Sequence, residues 1–383
     1  MKKLYIVFDQ IPSLESGGLI VTYINMVKQL KKEYDIRIIS VFKSEDENEA
    51  LFQGIQIYNL SQFVIDNRFF RILNYIKNKK MTTVLKAIYS AFYFFAYIPI
   101  AKKKVKSIIQ EEDYVISVSP TASMFLPKNI QFIQDIHTNY EYFWGDNKFG
   151  SMQTKLMSNP KVTVFRNQMD ARKGQTKFKS TYLYNFVEEI KYDINTYNVE
   201  SRKNKILFMG RLHPQKDPLR LVECAKILKE KGFQFELDVY GTGLLKDDLE
   251  KKILENNLSN EIKLRGYVDS KLIYKEYSML WLTSVSEGFG LCIIEAKANA
   301  TPTVSINWGG AIGEVIDNGI DGFIANDNEE FVEYTIELLN NNILLKKMAK
   351  SAYENYHKKF TNGTTKKQLI DILESYKDEK GKE

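Results

Sequence analysis

Two glutamates in the second half of the chain, Glu287 and Glu295, stand on either side of a turn that contains glycines. The turn follows an apolar run at 279–282 and opens a helical pattern, so we expect Glu287 in the loop and Glu295 about two turns into the helix. Glycines let a ligand approach the backbone, and the unpaired N–H groups of a helix start attract anions. The segment could hold a diphosphate, although a plain turn with two solvated glutamates explains the pair equally well.

A second turn carries two cations, Arg211 and Lys216, within the segment GRLHPQKD. This segment follows the apolar run 206–209. If the run is a strand of a parallel sheet, both cations lie at the carboxyl edge, where ligands bind in such sheets. An arginine can hold two phosphate oxygens at once, and a lysine acts as a point charge. Taken alone, the two residues are better explained as surface charges.

Three further segments could contribute to a ligand site. Residues 240–243 (YGTG) form another strand-to-helix turn with glycines, and residues 16–18 (SGG) follow the first apolar run. His137 ends the apolar run 130–136, at what would be a strand end. Each has a plain structural explanation, because a lone G-x-G is weak evidence and a single histidine more often has a structural role.

The pattern of the whole chain indicates parallel sheets covered by helices, because short apolar, β-branched runs alternate with longer amphipathic stretches. The predicted strands are 4–8, 36–41, 55–58, 114–118, 131–134, 162–165 and 181–184, followed by 206–209, 236–240, 262–264, 279–282, 303–306 and 322–325. Amphipathic stretches at 19–30 and 82–109 predict helices between the early strands. Beyond about residue 341 the pattern is helical.

A length of 383 residues suggests two domains. The polar stretch 188–205 has the composition of a linker. We therefore place an N-terminal domain at 1–187, a second domain at 188–360, and a C-terminal helix with a charged tail at 361–383.

Composition indicates a globular protein, with 44% apolar and 27% charged residues. Cys224 and Cys292 are far apart and lack a partner at metal-ligand spacing, so we expect small core residues and no disulfide or zinc site. The first apolar run stops at Asp9, too early for a signal peptide. These features predict a cytoplasmic protein.

The segment from Arg68 to Gln110 contains ten Lys or Arg and no Asp or Glu, in a chain whose net charge is +6. Its apolar stretch 87–101 would form a helix about 22 Å long, short of the roughly 30 Å that spans a bilayer. The part from Arg68 to Lys106 could be a membrane-surface patch, which would place the protein peripherally on the inner face of the plasma membrane. It could equally bind a polyanionic acceptor, or be a solvated helix with a buried aromatic face.

Together and in this order, the motifs resemble the retaining glycosyltransferases of family 4 (glycosyl transferases group 1), which have the GT-B fold. From about residue 205 to 328 the segments GRLHPQKD, YGTG, RGYV, SEGFGLCIIEA and TPTVSINWGGAIGEVIDNGIDGF stand in the family's order. The first half is looser and rests on the loop at 17–18, His137 and the segment NFV at 185–187. Ala300 stands where a glycine is common in the family.

The resemblance implies an α/β fold with two Rossmann-like, doubly wound domains that face each other across a cleft, and a C-terminal helix that crosses back to the N-terminal domain. It also implies roles for single residues. Arg211 and Lys216 match the pair that neutralises the donor diphosphate. Glu295 matches the carboxylate on the ribose hydroxyls, and Glu287 the one near the hydroxyls of the donor sugar. His137 matches the histidine that contacts the transferred sugar.

Besides these catalytic candidates, the resemblance implies a donor-binding set in which the backbone of residues 266–268 holds the base. The set is Gly17, Gly18, Gly241, Gly243, Gly266, Tyr267, Val268, Gly288, Phe289, Gly290, Leu291 and Glu295. No metal ligand and no cofactor beyond the donor itself is implied, and no convincing D-x-D motif follows an apolar strand.

The implied reaction moves a sugar, with retention, from a nucleotide diphosphate sugar, with a UDP-sugar favoured. The acceptor would be a cell-surface glycan, a lipid-linked glycan or a teichoic-acid-like polymer, and no nucleic acid is implied as a partner. The nucleoside diphosphate would depart from an oxocarbenium-like sugar, and the acceptor would attack on the face that the leaving group vacates. No protein nucleophile is evident, so catalysis would rest on positioning and electrostatic stabilisation.

Two other functions remain open. A nucleotide-sugar epimerase has the same fold and donor, but it is disfavoured by the pair of glutamates together with Arg211 and Lys216. An inactive partner subunit would not need the full set of site residues. A nicotinamide oxidoreductase would need G-x-G-x-x-G after the first strand, and residues 9–18 do not supply it.

Overall fold

The computed structural model describes residues 1–13, 18–64, 81–145, 148–187, 190–268 and 273–378. The chain divides into two compact units, Met1–Leu183 with Lys366–Glu383, and Tyr184–Thr365. Each unit contains one parallel sheet with helices between successive strands. The predicted α/β class is confirmed.

The first unit contains a seven-stranded parallel sheet in the order β3-β2-β1-β4-β5-β6-β7. The middle strands are buried on both faces, which is typical of a parallel sheet and explains their continuous apolar runs. The strands are β1 Lys2–Phe8, β2 Tyr34–Ser40, β3 Gln56–Asn59, β4 Tyr114–Ser117, β5 Ile133–Ile136, β6 Val162–Phe165 and β7 Ser180–Tyr182. The described helices are α1 Gly18–Leu30, α2 Asp46–Ala50, α3 Met81–Ile108, α4 Pro120–Ser123, α5 Tyr140–Trp144, α6 Lys148–Leu156 and α7 Gln168–Gly174.

The second unit contains a six-stranded parallel sheet in the order β10-β9-β8-β11-β12-β13. Its strands are β8 Lys205–Met209, β9 Glu236–Tyr240, β10 Ile262–Gly266, β11 Met279–Leu282, β12 Thr303–Ile306 and β13 Gly322–Ala325. Its described helices are α8 Val199–Arg202, α9 Pro218–Glu230, α10 Lys246–Glu255, α11 Leu291–Ala298, α12 Ile312–Val315, α13 Asn328–Asn340 and α14 Asn342–Asn355. Trp281 of β11 is fully buried, and its Nε1 donates to Thr335 Oγ1 of α13 at 3.0 Å. This contact fixes a covering helix to the sheet.

The last helix, α15, spans Asn362–Asp378, and most of it belongs to the first unit. The backbone N–H of Val115 on β4 donates to the hydroxyl of Tyr376 at 3.0 Å. Lys2 at the start of β1 forms an ion pair with Glu374 at 2.7 Å. The end of the chain therefore packs beside β1 and β4, as the resemblance implied.

The structure corrects the predicted bounds of one strand and the description of 188–205 as a linker. Strand β5 is Ile133–Ile136, not 131–134, because its pairing with β6 begins at Ile133 and the apolar run before it gives no boundary signal. The stretch 188–205 is not a plain linker in its described part. It contains a 3₁₀ turn at Ile194–Thr196 and the helix α8, whose start is capped by Asn198 accepting from the N–H of Glu200.

Helix α3 is longer than the apolar stretch that predicted it. It has 28 residues with Pro99 in its interior, and is therefore about 42 Å long at 1.5 Å per residue. In the described part of the chain, its segment Val84–Ile108 is the one helix long and apolar enough to cross a membrane by length and composition alone. The length argument against a membrane span was therefore wrong. Whether the helix can cross a bilayer depends instead on the burial of one of its faces within the first unit.

Candidate active site

The strand order of the second sheet reverses between β8 and β11, which lie side by side. In open parallel sheets, ligands bind outside the carboxyl ends of the strands at such a reversal. The two loops that leave this point are residues 210–217 after β8 and residues 283–290 after β11. They contain both predicted cations and the first predicted glutamate.

Lys216 and Glu287, one from each loop, form an ion pair with Nζ and Oε1 2.5 Å apart. Both side chains are largely buried, with 15% and 7% of their surface exposed. Ser284 also donates to Glu287 Oε1, at 2.6 Å. Burial lowers the pKa of Lys216, but the Glu287 carboxylate outweighs burial, and the pKa lies above its ordinary value. Lys216 is therefore a fixed cation at neutral pH.

The two loops are also joined through their backbones. The N–H of Val285 donates to the carbonyl of Gln215 at 2.9 Å, and the side-chain amide of Gln215 donates to the carbonyl of Ser286 at 3.0 Å. Thr283 donates to the carbonyl of Asp217 at 2.9 Å. These bonds hold the ion pair in one geometry before any ligand binds.

Arg211 differs from Lys216 in its surroundings. Its side chain is exposed, and it has no hydrogen-bond or ion-pair partner among the residues that the structure describes. It lies close enough to Lys216 to lower the pKa of that lysine by charge repulsion. Two cations held near each other, one without a protein partner, favour an anionic ligand.

Glu295 lies on α11, which begins at Leu291. The glutamate is therefore about one turn into the helix, not two as predicted, because the loop keeps Gly290 outside the helix with a left-handed φ of 77°. The hydroxyl of the fully buried Tyr274 donates to Glu295 Oε2 at 2.6 Å. Burial and then Glu295 raise the pKa of Tyr274 well above its ordinary value. Tyr274 thus orients this carboxylate as a permanent donor, and sequence reasoning missed it.

Cys292 lies near both the Lys216–Glu287 ion pair and Glu295. Its thiol is buried and interacts electrostatically with Lys216, Glu287 and Glu295, while burial raises its pKa to about 12. Cys224 is buried as well. The prediction that both cysteines are small core residues is confirmed.

Gly241 and Gly243 have a structural explanation that spacing did not reveal. A Cβ on Gly241 would lie 1.9 Å from the carbonyl oxygen of Gly210, and one on Gly243 would lie 2.4 Å from that of Leu212. The two loops touch there, and the N–H of Leu212 donates to the carbonyl of Thr242 at 2.8 Å. These glycines let the turn after β9 support the loop that carries Arg211 and Lys216.

We predict that Gly241→Ala destabilises the protein by about 3 kcal/mol or more, because its methyl would collide with backbone. Gly232→Ala is the matched control. Gly232 also has a positive φ, 84°, but nothing lies within 4 Å of a Cβ there, so we expect a cost of about 1 kcal/mol. Thermal unfolding of both variants checks this. Equal thermal midpoints of the two variants would show that the contact between the loops does not require a glycine at Gly241.

The remaining predicted donor-binding residues of this unit lie at the same carboxyl edge. Gly266 ends β10 with φ 74° and accepts at its carbonyl from the N–H of Gly241 at 2.8 Å. Tyr267 follows it and is highly exposed. Residues 288–291 (Gly288, Phe289, Gly290 and Leu291) lead into α11.

Trp308, after β12, is a residue that sequence reasoning did not select. Its ring lies 3.6 Å from the position of a Cβ on Gly290. Its indole N–H is buried and has no hydrogen-bond partner among the described residues. An unpaired donor beside the loop of Glu287 is a candidate ligand contact, and its only sequence signal is a tryptophan before two loop glycines.

His137, from the first unit, directly follows β5 and is held by a buried polar cluster. Asp135 Oδ2 lies 3.2 Å from His137 Nε2, accepts from the hydroxyl of Tyr23 at 2.6 Å, and also accepts from Arg166. Burial would raise the pKa of Asp135, but Arg166 lowers it to about 2. Asp135 is therefore ionised, accepts the N–H at Nε2 of His137, and leaves Nδ1 as the acceptor nitrogen. Spacing alone did not predict this cluster.

Burial, with a smaller contribution from Arg166, lowers the pKa of His137. Because the pKa of His137 is lower in the folded protein than in the unfolded chain, protonation of this residue favours unfolding. The stability that the neutral form contributes is therefore lost as the pH falls below about 6.5. We predict that the thermal midpoint of the wild type falls more between pH 7 and pH 5 than that of His137→Gln. Asp135 titrates below this window. Parallel curves for the two proteins would contradict the account.

Two predicted residues of the first unit remain. Gly18 begins α1, whereas Gly17 lies outside the described residues. The structure thus brings together Lys216, Glu287 and Arg211 in the second unit, and places Glu295 nearby, while His137 and Gly18 belong to the first unit. Among the described residues, no cluster of three or more His, Cys, Asp or Glu could hold a metal ion.

Comparison with solved structures identifies the fold. The structure of Staphylococcus aureus TarM, solved with UDP and α-GlcNAc-glycerol among its ligands, superposes with a TM-score of 0.75 at 15% identity, covering 97% of this chain and 100% of that one. The fold is therefore GT-B, the fold of a class of glycosyltransferases.

Within that class, residues 190–355 match the family model of glycosyl transferases group 1. The resemblance seen in the sequence is confirmed at this level. An uncharacterized glycosyltransferase of Methanocaldococcus jannaschii is 27% identical over 359 residues, which are 90% of this chain and 91% of that protein.

A relative with a stated activity matches over a shorter stretch. The poly(glycerol-phosphate) α-glucosyltransferase of Bacillus subtilis is 28% identical over 182 residues, which are 47% of this chain but only 24% of that enzyme. The chain thus matches about a quarter of that relative's length.

Proposed function

We propose that the protein is a retaining glycosyltransferase of family 4 that transfers a sugar from a nucleotide diphosphate sugar, with a UDP-sugar favoured. One observation carries the proposal. The reversal of strand order between β8 and β11 holds the Lys216–Glu287 ion pair, with Arg211 exposed beside it. A ligand at this point would meet two positive charges and one carboxylate, which suits a diphosphate attached to a hydroxyl-rich sugar.

In this proposal, Arg211 and Lys216 neutralise the diphosphate as it leaves. Charge stabilisation of this kind is worth most in a site whose donors are already fixed, because no reorganisation is needed during the reaction. The loop-to-loop hydrogen bonds around Gln215 and Thr283 provide that fixation. Because two cations can meet the charge of the leaving group, the proposed reaction does not depend on a divalent metal.

The carboxylates would contact hydroxyl groups. Glu287 would accept from the donor sugar, and Glu295 from the ribose, where the Tyr274 hydroxyl fixes its orientation. His137 would contact the transferred sugar with its uncharged ring. The acceptor would then attack the face from which the diphosphate departs, and the configuration at the anomeric carbon would be retained.

For the acceptor, we propose a cell-surface glycan, a lipid-linked glycan or a teichoic-acid-like polymer. Support comes from TarM, whose structure contains α-GlcNAc-glycerol, and from the Bacillus subtilis relative named for poly(glycerol-phosphate). The first was solved with a glycerol-linked sugar, and the second is named for a glycerol-phosphate polymer.

The test is incubation of the purified protein with a panel of UDP-, GDP- and ADP-sugars, with and without glycerol-phosphate polymer and lipid extract. We expect acceptor-dependent release of nucleoside diphosphate from one donor. Proton NMR of the product should show the anomeric configuration of the donor. An inverted product would overturn retention, and an epimerised donor without acceptor would favour the epimerase.

Glu295 provides a prediction on binding. Glu295→Gln should weaken binding of the nucleoside diphosphate by about 10- to 100-fold, the cost of one or two charge-assisted hydrogen bonds. Tyr274→Phe keeps the ring and removes only the orienting hydroxyl, so we expect a loss below about tenfold. Titration calorimetry with UDP measures both. Unchanged affinity in Glu295→Gln would remove this residue from the site.

A further inference from the structure

Helix α3 presents two different apolar faces, and within the described ranges only one of them is covered. The covered face packs into the first unit, where Phe94 and Tyr97 contact Phe42 at ring distances of 5.6 and 5.8 Å. Its buried side chains are Val84, Ala87, Ser90, Phe94, Tyr97, Ala101 and Val105. This three- and four-residue spacing defines one side of a helix.

The opposite side of α3 exposes an apolar surface, which we call the α3 stripe. The α3 stripe consists of Leu85, Ile88, Tyr89, Phe92, Phe95 and Ile100. Phe92 and Leu85 expose 73% and 64% of their surface. These six residues are a third of the 18 large apolar side chains exposed in the described part of the chain, and all project from one helix face. Single exposed apolar residues are ordinary, whereas an aligned set marks a binding surface.

Two neighbouring residues extend the α3 stripe. Phe63, in the loop after β3, packs on Tyr93 with ring centroids 4.3 Å apart and is itself half exposed. Val64 follows it and exposes 62% of its surface. The apolar surface is therefore wider than one helix.

All the charged side chains of α3 itself are positive. Lys103 and Lys106 follow the stripe on the same face, with Lys102 at its side, and none of the three has an ion-pair partner in the described ranges. From residue 81 to residue 110 the sequence contains no Asp or Glu. An apolar surface with an unpaired basic end complements the acyl boundary and the anionic headgroups of a lipid bilayer.

The packing of α3 decides how it can meet a membrane. Although the helix is long enough to cross a bilayer, its covered face is fixed to the first unit, and Lys104 donates to the carbonyl of Leu60 at 2.6 Å. A crossing helix would have to give up these contacts. A membrane contact that keeps this packing would place the helix in the plane of the interface, with the α3 stripe facing the lipid.

The α3 stripe extends beyond the sheet edge at which a predicted functional residue lies. Phe94 and Tyr97 pack on residues that follow the carboxyl ends of strands, Phe42 after β2 and Leu60 after β3. The part of α3 before residue 94 therefore extends beyond the carboxyl edge of the first sheet. His137 follows β5 at that same edge.

We propose that the α3 stripe with Lys102, Lys103 and Lys106 is a docking surface for an anionic lipid bilayer, which holds the carboxyl edge of the first sheet at the membrane. The surface is defined by exposure and charge alone, so the proposal stands apart from the proposed reaction. Of the three earlier explanations for this segment, it combines the buried aromatic face with the membrane patch. The basic residues from Arg68 to Lys80 lie outside the described residues and are not needed for it.

Flotation with vesicles tests the proposal. In 0.1 M salt, the full-length protein should float with vesicles of equal parts phosphatidylglycerol and phosphatidylcholine. Ile88→Ser with Phe92→Ser should reduce partitioning by about 30-fold or more, because two exposed apolar side chains lose their insertion. Lys102→Gln, Lys103→Gln and Lys106→Gln together should reduce it by about 100-fold, roughly fivefold per lysine.

Leu254→Ser with Ile343→Ser is the matched control, because both residues are highly exposed in the second unit. It should float like the wild type, and all variants should unfold at the same temperature because none of the changed side chains is buried. Release of nucleoside diphosphate from a soluble donor without vesicles should also be unchanged, which separates failure of docking from failure of the reaction.

Three results would overturn the proposal. The wild type could fail to float with anionic vesicles at low salt. The stripe variants could float as well as the control. Alternatively, the wild type could be a dimer that Phe92→Ser converts to a monomer, which would show that a second copy covers the α3 stripe.

Discussion

Arg211→Ala should lower the rate of sugar transfer by about 100-fold or more while leaving the fold unchanged. The guanidinium is exposed and has no partner among the described residues, so its removal costs within about 0.5 kcal/mol of stability. In the transition state, however, one fixed donor to the leaving diphosphate is worth about 10²–10³ in rate. This substitution therefore tests the role of Arg211 in the reaction separately from its role in folding.

The matched control is Lys203→Ala, an exposed cation without an ion-pair partner among the described residues, which follows α8 and precedes β8 at the amino edge of the same sheet. It removes the same charge from the same unit without approaching the strand reversal. Both variants are assayed for nucleoside diphosphate release and for thermal midpoint. Equal rates in the two variants would exclude Arg211 from the site.

Lys216→Ala should lose both activity and stability. The substitution removes the second cation and leaves Glu287, with 7% of its side chain exposed, as a buried charge without its partner. Breaking a fully buried pair costs about 3–5 kcal/mol. Because Ser284 still donates to Glu287 and the site is partly open, we expect about 2 kcal/mol.

The double variant Lys216→Ala with Glu287→Gln separates these two effects. Neutralising Glu287 removes the unpaired charge, so most of the lost stability should return. The rate should not return, since the cation is still missing and the glutamate's contact to the donor is weakened. Thermal unfolding and single-turnover rates are measured on the wild type, on Lys216→Ala, on Glu287→Gln and on the double variant. Recovery of the rate together with stability would show that the pair is only structural.

Much of the fold could be predicted because its strands are short, buried and apolar. Strands β6, β9, β11, β12 and β13 begin and end at the predicted residues. Parallel strands buried on both faces have continuous apolar runs in the sequence, whereas the neighbouring helices have apolar residues at every third or fourth position. Where the run was longer than the paired segment, as at β5, the register of the neighbouring strand set the boundary.

The candidate site could be predicted only in part, because its contacts depend on strand order. Lys216 and Glu287 are 71 positions apart, and they meet because β8 and β11 are neighbours. The same reason hid the contact of Asp135 on β5 with Arg166 after the neighbouring strand β6. Sequence patterns identify which residue types follow each strand, but only the sheet order decides which of them touch.

The glycines show a second limit of sequence patterns, which cannot tell a ligand-binding turn from a tightly packed one. Residues 240–243 were selected as a possible ligand turn, yet Gly241 and Gly243 are required because another loop's backbone lies against them. A glycine needed for close approach of a ligand and one needed for close approach of the chain itself leave the same sequence signal. Ala300, where the resemblance implied a glycine, has a left-handed φ of 53°, a backbone conformation that favours glycine.

Hydrogen–deuterium exchange with saturating UDP, GDP or ADP tests the central claim most directly, because it locates the bound nucleotide. We predict that one nucleotide slows exchange in peptides covering 210–217 and 284–295, and that the amino-edge peptide 228–235 is unaffected. Arg211→Ala should reduce that protection at the same concentration. Protection confined to other segments, or none with any of the three, would contradict a nucleotide site at the reversal between β8 and β11.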